Sequence, residues 1–349
     1  MKTLPLYGDG EDKLCQDQRV KKVRWGVVST ARIAIKSVIP AMQAGTYSEV
    51  VAIASRSIEA ARRVADQFSI PDAYGSYAGL LAADDIDAVY IPLPNHMHVP
   101  VAIDALKAGK HVLVEKPLGL SAAEGQKLED VAAQYPHLKV MEAFMYRHHA
   151  QWQETVRLVQ AGAIGKLRTV QSFFSYTNLD PNNVRNTAEY GGGGLMDIGC
   201  YSVSLSRLLF GAEPKRVFGL MENDPSFGVD CLTSGILDFG SGTSTFTCST
   251  QIAPFQRVHI FGETGHIEIK VPFNPPEGQS CEIIVSNETG ERVVKVAGDN
   301  QYTVQGDLMS MAILEDSDVP TPLADGIGNM QVLEAIVRSS KTSGWEVLV

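Results

Sequence analysis

Residues 111–117 read His111-Val112-Leu113-Val114-Glu115-Lys116-Pro117. The run from His111 to Val114 has the length and apolar character of a strand buried on both faces of a parallel sheet. Pro117 cannot continue a strand's hydrogen bonding and forces a sharp exit. Lys116 therefore stands at the C-terminal mouth of the strand, the edge at which open α/β sheets bind their ligands. An ammonium held there can hydrogen-bond an alcohol oxygen and stabilise the alkoxide that forms as a hydride leaves. The competing reading is a solvated lysine beside a loop proline, and the surrounding chain decides between the two.

On the N-terminal side, Val23 to Val28, Val50 to Ala54 and Ala88 to Pro92 read as further strands, and Lys139 to Glu142 follows on the other side. Helical spacing runs through Ala31 to Ala44, Ile58 to Phe68, Val99 to Ala108 and Ala122 to Gln134. Strands alternating with helices imply a doubly wound parallel sheet with helices on both faces, spanning residues 23–145.

The first strand-to-helix turn is Ser29-Thr30-Ala31-Arg32-Ile33-Ala34, where a dinucleotide fingerprint would read G-x-G-x-x-G. The three glycine positions carry Ser29, Ala31 and Ala34. The strict pattern fails, but small residues still let backbone N–H groups approach a pyrophosphate; a plain strand–helix turn is the alternative. The second strand ends in Ser55-Arg56-Ser57 rather than in the carboxylate that would bind the ribose hydroxyls of NAD. An arginine fork with flanking hydroxyls suits a 2′-phosphate, so NADP is expected and NAD remains possible. A surface arginine on a first helical turn is the other reading. After the third expected strand, Pro92, Leu93 and Pro94 make a stiff rim, and Asn95 and His98 offer polar groups near a bound ribose.

From Leu167 the pattern changes to period-two runs with hairpin turns, among them Leu167 to Tyr176, Thr233 to Phe239, Ser244 to Thr250 and Arg257 to Phe261. A large, mainly antiparallel open sheet is expected in residues 146–349, with helices on one face. Its bare face would be an oligomer interface, in a homodimer or homotetramer. Gly191 to Gly194 allow close backbone approach to something bound, and lead into Leu195-Met196-Asp197-Ile198-Gly199-Cys200-Tyr201. Asp197 and Tyr201 are four residues apart and share a helix face, where a carboxylate and a phenol can orient a polyol and carry a proton. A capping Asp and a wall tyrosine are the structural alternative. The loop from Tyr176 to Tyr190, with Asn182, Asn183, Arg185 and Asn186, and the segment around Gln301 and Tyr302 are expected to shape the substrate pocket.

A net charge of −10 in 349 residues argues against nucleic acid and anionic membrane as partners. No apolar stretch is long enough to span a bilayer. Cys15, Cys200, Cys231, Cys248 and Cys281 form no CxxC and no metal-binding spacing, so free thiols in a reducing cytoplasm are expected. Residues 1–22 are polar, lack the apolar core of a signal peptide and read as a flexible arm.

These pieces together resemble the Gfo/Idh/MocA oxidoreductases. The resemblance rests on Glu115-Lys116-Pro117, on Pro94-Asn95 with His98, on Met141-Glu142-Ala143-Phe144-Met145-Tyr146-Arg147, and on the glycine-rich segment ending in Tyr201. Within the family the chain looks closest to the branch of dimeric dihydrodiol dehydrogenase, D-xylose dehydrogenase and sugar ketoreductase. The resemblance implies a Rossmann domain, a sheet-rich substrate and oligomer domain, and NAD(P). It also implies that Lys116 polarises the reacting oxygen, that Tyr201 is the general acid/base, and that Asp197 binds a substrate hydroxyl. Tyr146 and Arg147 would sit near substrate and cofactor.

The expected activity is NADP-dependent hydride transfer to or from a carbon of a sugar, polyol or dihydrodiol. Two other functions fit the same residues: a glycosidase that uses NAD in a transient oxidation, and a non-catalytic NADP sensor.

Overall fold

The structure is a computed structural model and describes residues 20–348. Most of the expected arm, and Cys15 with it, lies outside the described residues.

The first half builds a six-stranded parallel sheet from β1 (Val23–Val28), β2 (Ser48–Ala54), β3 (Asp72–Tyr74), β4 (Ala88–Ile91), β5 (His111–Glu115) and β6 (Val140–Ala143). Its order is β3-β2-β1-β4-β5-β6, so the winding reverses between β1 and β4 and opens a crevice at their C-terminal ends. Val112, Leu113 and Val114 are fully buried in β5, as a two-sided parallel strand requires. Strand β3 and the helix Tyr77–Leu81 were absent from the sequence pattern, which makes Ala88–Ile91 the fourth strand rather than the third. A half-buried edge strand of three residues is too short to display any alternation. The helix expected over Ala31 to Ala44 contains a π-turn, Ala34–Val38, ahead of its α-helical part Ile39–Gln43. Pro40 has no N–H to give the carbonyl four residues back, and the turn before it is wider.

The second half builds a nine-stranded sheet from β7 (Leu167–Thr177), β8 (Arg216–Asn223), β9 (Asp230–Asp238), β10 (Thr243–Ser249), β11 (Gln251–Gly262), β12 (Gly265–Ile269), β13 (Cys281–Asn287), β14 (Gly290–Val296) and β15 (Glu346–Val347). Neighbours are antiparallel except β7 and β10, which run parallel. Helices cover one face. The helix Leu323–Thr342 packs so closely on β8 that a Cβ at Gly219 would lie 2.7 Å from the Ile336 carbonyl. The helix Cys200–Phe210 is tied to the sheet by two buried hydroxyl pairs, Ser202 with Ser172 of β7 at 2.8 Å and Ser206 with Ser244 of β10 at 2.7 Å. Its first turn, which carries Tyr201, is thereby fixed in position. The opposite sheet face is open and leaves Leu220 61% and Phe255 48% exposed.

The segment around Gln301 and Tyr302, expected to shape the substrate pocket, is not a loop. It opens the helix Gln301–Leu314, capped by Asn300, whose side chain accepts from the backbone N–H groups of Tyr302 and Thr303. This helix returns to the first sheet: Trp25 Nε1 donates to Ser310 Oγ at 3.0 Å, and Asp307 accepts the backbone N–H groups of Thr46 and Tyr47, both at 2.9 Å. Its apolar residues form no single stripe, so helical periodicity was weak in the sequence. Among the described residues no helix is long and apolar enough to cross a membrane.

Candidate active site

The crevice at the switch point is built from several places in the chain. The turn after β1 holds Ser29, Thr30 and Ala31, and helical backbone begins at Arg32. Ser29 stands at the first glycine position of the fingerprint with φ 132°, a conformation that favours glycine. The turn thus keeps the backbone shape of a glycine fingerprint without the glycine. Thr30 Oγ1 lies 3.5 Å from Ser55 Oγ at the end of β2, Ile33 is half-buried, and Arg32 and Arg56 are exposed. Pro92 and Leu93 are buried in the rim after β4.

His98 is buried, with Nδ1 2.8 Å from the Pro117 carbonyl and Nε2 2.7 Å from the Leu93 carbonyl. Burial pushes its pKa down to about 4. The neutral ring has one N–H and donates to one of the two carbonyls, and both nitrogens face protein rather than the crevice. The ring instead braces the rim after β4 against the Lys116-Pro117 exit. Asn95 likewise gives its side-chain N–H to the Gly191 carbonyl at 2.7 Å, joining this rim to the glycine-rich segment.

Lys116 and Asp197 meet at the centre. Lys116 Nζ donates to the Asp197 carbonyl at 2.6 Å and to Asp197 Oδ1 at 3.3 Å, and lies 4.7 Å from the centre of the Tyr201 ring. Asp197 belongs to a π-turn, Leu195–Gly199, immediately before the helix that carries Tyr201. Such turns leave backbone groups off the regular helical ladder and recur at functional sites. Asp197 Oδ1 also accepts from Arg185 Nε at 2.9 Å, and Oδ2 accepts from the Tyr176 hydroxyl at 2.5 Å. Burial raises the Asp197 pKa, but Arg185, Lys116 and Tyr176 outweigh it and hold the carboxyl well below its ordinary range. Burial pulls the Lys116 pKa down, yet Asp197 reverses the effect and the net shift is upward. Lysine and aspartate therefore hold each other ionised.

Beneath Lys116, the Tyr201 ring packs in an aromatic cluster with Phe144, Tyr146, Phe174 and Phe273. Its hydroxyl has Met145 Sδ as partner at 3.6 Å, a weak acceptor. Burial raises the phenol well above its ordinary pKa. Glu115 is also pushed up by burial; its Oε1 accepts from the Tyr90 hydroxyl at 2.6 Å. Tyr302 reaches the same end of the crevice from the second half of the chain, where burial first and then the charge of Glu115 raise its phenol above the ordinary pKa.

Two residues expected near the ligands lie elsewhere. Tyr146 is fully buried and donates to Ser204 Oγ at 2.8 Å, so it supports Tyr201 from behind. Arg147 pairs with Asp325 at the start of the helix Leu323–Thr342, away from the Lys116 cluster. Gly192 and Gly193 do permit close approach, but of the protein to itself. A Cβ at Gly192 would lie 2.3 Å from the Arg185 carbonyl, and one at Gly193 2.1 Å from Asp230 Oδ1. Asp230 Oδ2 then accepts the Leu195 N–H at 2.7 Å and fixes the start of the π-turn.

Tyr176 was missed as a site residue. No spacing links it to Asp197, 21 positions later. Only its place at the end of a period-two run beside the crevice marks it.

Comparisons with known proteins agree with this architecture. Residues 23–144 match the model described as oxidoreductase family, NAD-binding Rossmann fold, and residues 152–268 match the GFO/IDH/MocA C-terminal domain. An uncharacterized oxidoreductase of Rhizobium meliloti is 44% identical over 332 residues, 93% of this chain and 99% of that protein. The D-xylose 1-dehydrogenase (NADP(+)) 2 of Haloferax volcanii is 37% identical over 322 residues, 91% of this chain and 97% of that protein. Among solved structures, a 3-ketoreductase from Actinomadura kijaniata in complex with NADP and TDP-benzene superposes with a TM-score of 0.86 at 28% identity, covering 91% of this chain and 98% of that one. With the two domain models and relatives of this extent, the chain belongs to the Gfo/Idh/MocA family of oxidoreductases.

Proposed function

We propose that the protein is an NADP-dependent dehydrogenase/reductase that acts at a carbinol or carbonyl carbon of a sugar, polyol or dihydrodiol. The observation that carries this reading is the Lys116 ammonium, held charged by Asp197 over the Tyr201 ring at the mouth of the parallel sheet. The relatives that act on xylose or carry NADP and a TDP ligand support the substrate and cofactor classes.

The crevice fits the dinucleotide. The glycine-like turn at Ser29 leads into a helix N-terminus, suited to a pyrophosphate. Ser55 and the exposed Arg56 suit a 2′-phosphate at the end of β2. The nicotinamide, when bound, supplies or accepts the hydride. The chain's own residues handle the oxygen. Two Lys116 N–H groups are engaged by Asp197, which leaves one of its three for the reacting oxygen. As a fixed cation it stabilises negative charge on that oxygen. Tyr201 holds its phenolic proton against a weak acceptor and passes it to or takes it from the same oxygen. Asp197 and Arg185 orient neighbouring hydroxyls of the substrate.

In this reading residues 23–145 carry the dinucleotide, while residues 146–349 carry the substrate and, through the open face around Leu220 and Phe255, a homodimer or homotetramer contact. Buried free thiols at Cys200, Cys231, Cys248 and Cys281 suit a reducing cytoplasm. The test is nicotinamide absorbance with NADP and then NAD, over a panel of aldoses, polyols and trans-dihydrodiols. Reduction with one class and a preference for NADP is the expected result. A flat trace across the panel with demonstrated cofactor binding would overturn it.

A further inference from the structure

Asp197 is the joint of the site. Its two carboxylate oxygens are shared unequally: Oδ1 faces two cations, Lys116 Nζ at 3.3 Å and Arg185 Nε at 2.9 Å, whereas Oδ2 has the Tyr176 hydroxyl at 2.5 Å. The two cations are not equivalent. Lys116 is 11% exposed and held a second time by the Asp197 carbonyl, while Arg185 is 44% exposed on the rim loop. A carboxylate held only by Oδ1 would be free to rotate toward the exposed arginine, because the Cα–Cβ and Cβ–Cγ torsions are the softest in the pair. Tyr176 prevents this. It is the last but one residue of β7, a strand locked between β10 and β11, so its hydroxyl is delivered from the rigid sheet rather than from the loop.

We propose that Tyr176 is a positioning residue for the reaction: by anchoring Asp197 Oδ2 from β7 it keeps Oδ1 on Lys116, and so keeps the lysine aimed at the reacting oxygen. The inference rests on the dehydrogenase/reductase reading for its kinetic consequence, but not for its electrostatic one. The charged and titratable groups facing the pair are Lys116, Arg185, Glu115, Cys200, Tyr176 and Tyr201. Of these, Tyr176 lowers the Asp197 pKa through its hydrogen bond. Deleting the hydroxyl therefore raises the Asp197 pKa. With its carboxylate less well fixed, Lys116 loses part of the support that raises its own pKa, which falls.

The experiment uses the full chain with Tyr176→Phe, and NADP binding by fluorescence as the check on folding. Two readouts are taken. First, the carboxyl of Asp197, assigned from Asp197→Asn, is titrated by carbon NMR; its midpoint should rise in Tyr176→Phe. Second, with a substrate found in the panel, kcat should fall about tenfold, about what one hydrogen bond to a charged group is worth, with KM within threefold. In the Asp197→Asn background the same replacement should have no further effect on rate, because the coupling runs through that carboxylate.

An unchanged midpoint overturns the proposal. Turnover in Tyr176→Phe with wild-type kcat also overturns it while leaving the dehydrogenase reading intact. A raised midpoint in a protein that turns over nothing in the panel keeps the anchoring role and removes the proposed activity. Should Tyr176→Phe fail to bind NADP, Tyr176→Gln serves instead. Its amide N–H is a weaker and less rigidly held donor than the phenol, so the same midpoint should shift in the same direction by less.

Discussion

Two charged clusters tie the parallel sheet to the second half of the chain, and they are built differently. The front cluster joins Lys116, beyond β5, to Asp197, Arg185 and Tyr176. The rear cluster joins Arg147, beyond β6, to Asp325, which also faces Arg207; Arg207 in turn pairs with Glu213 at 2.5 Å. In front, an arginine 44% exposed and a lysine with an unused N–H leave room for something to enter. At the rear, Arg147 and Arg207 are 13% and 5% exposed and every guanidinium is met by a carboxylate. Beside them Glu142 is buried, and neither side-chain oxygen has a partner. Burial first, and then Asp325, push its pKa up to about 8. The comparison teaches that a conspicuous charged motif at a sheet's C-terminal edge need not serve chemistry. What separates the two clusters is whether a donor is left over.

The largest effect expected from breaking this contrast is on the rear. Asp325→Ala leaves the buried Arg147 guanidinium without its carboxylate, while Arg207 keeps Glu213, and should cost ~3–5 kcal/mol of stability, the usual penalty for stranding a buried charge; urea unfolding measures it. Lys116→Met removes the front donor. It should cut kcat by roughly 10²–10³-fold, the range for loss of one oxyanion-stabilising donor, with NADP affinity within twofold. Near-normal turnover in this variant would sink the assignment of Lys116.

A pH experiment sharpens the contrast. Glu142 has its folded pKa raised above its unfolded value, so the protein favours the neutral form. The stabilisation is complete below the unfolded pKa and is lost as pH rises through the folded value of about 8. The melting temperature of the wild type should therefore decline more between pH 5 and pH 8 than that of Glu142→Gln; parallel curves would refute the reading. Arg185→Gln should have the smallest effect on folding, below ~1 kcal/mol, because an exposed ion pair is screened by solvent. Its effect should appear in KM rather than in Tm.

Much of this was readable beforehand because it depends on local pattern. Most strands of both halves, β3 and β15 excepted, the Lys116 mouth, the Asp197–Tyr201 spacing and the small-residue turn from Ser29 to Ala34 all rest on residues close together in the chain. The helix Gln301–Leu314 was not readable, since it is buried against the first sheet without a single apolar stripe. His98 and Tyr146 read as ligand contacts because a polar tip in sequence does not announce its partner. Here the partners are the Pro117 and Leu93 carbonyls and Ser204.

By itself, then, the sequence determined the two-sheet architecture, the family, and the position of one lysine at the edge of a parallel sheet. Those follow from hydrophobic periodicity and short motifs, which are properties of neighbouring residues. The tertiary structure alone decided which polar groups share a carboxylate. It brought Tyr176 and Arg185 to Asp197, and Asp325 to Arg147, across gaps that no periodicity spans. In a buried site those partners set the charge on each group, because in low dielectric the nearest ion or hydrogen bond outweighs the intrinsic pKa.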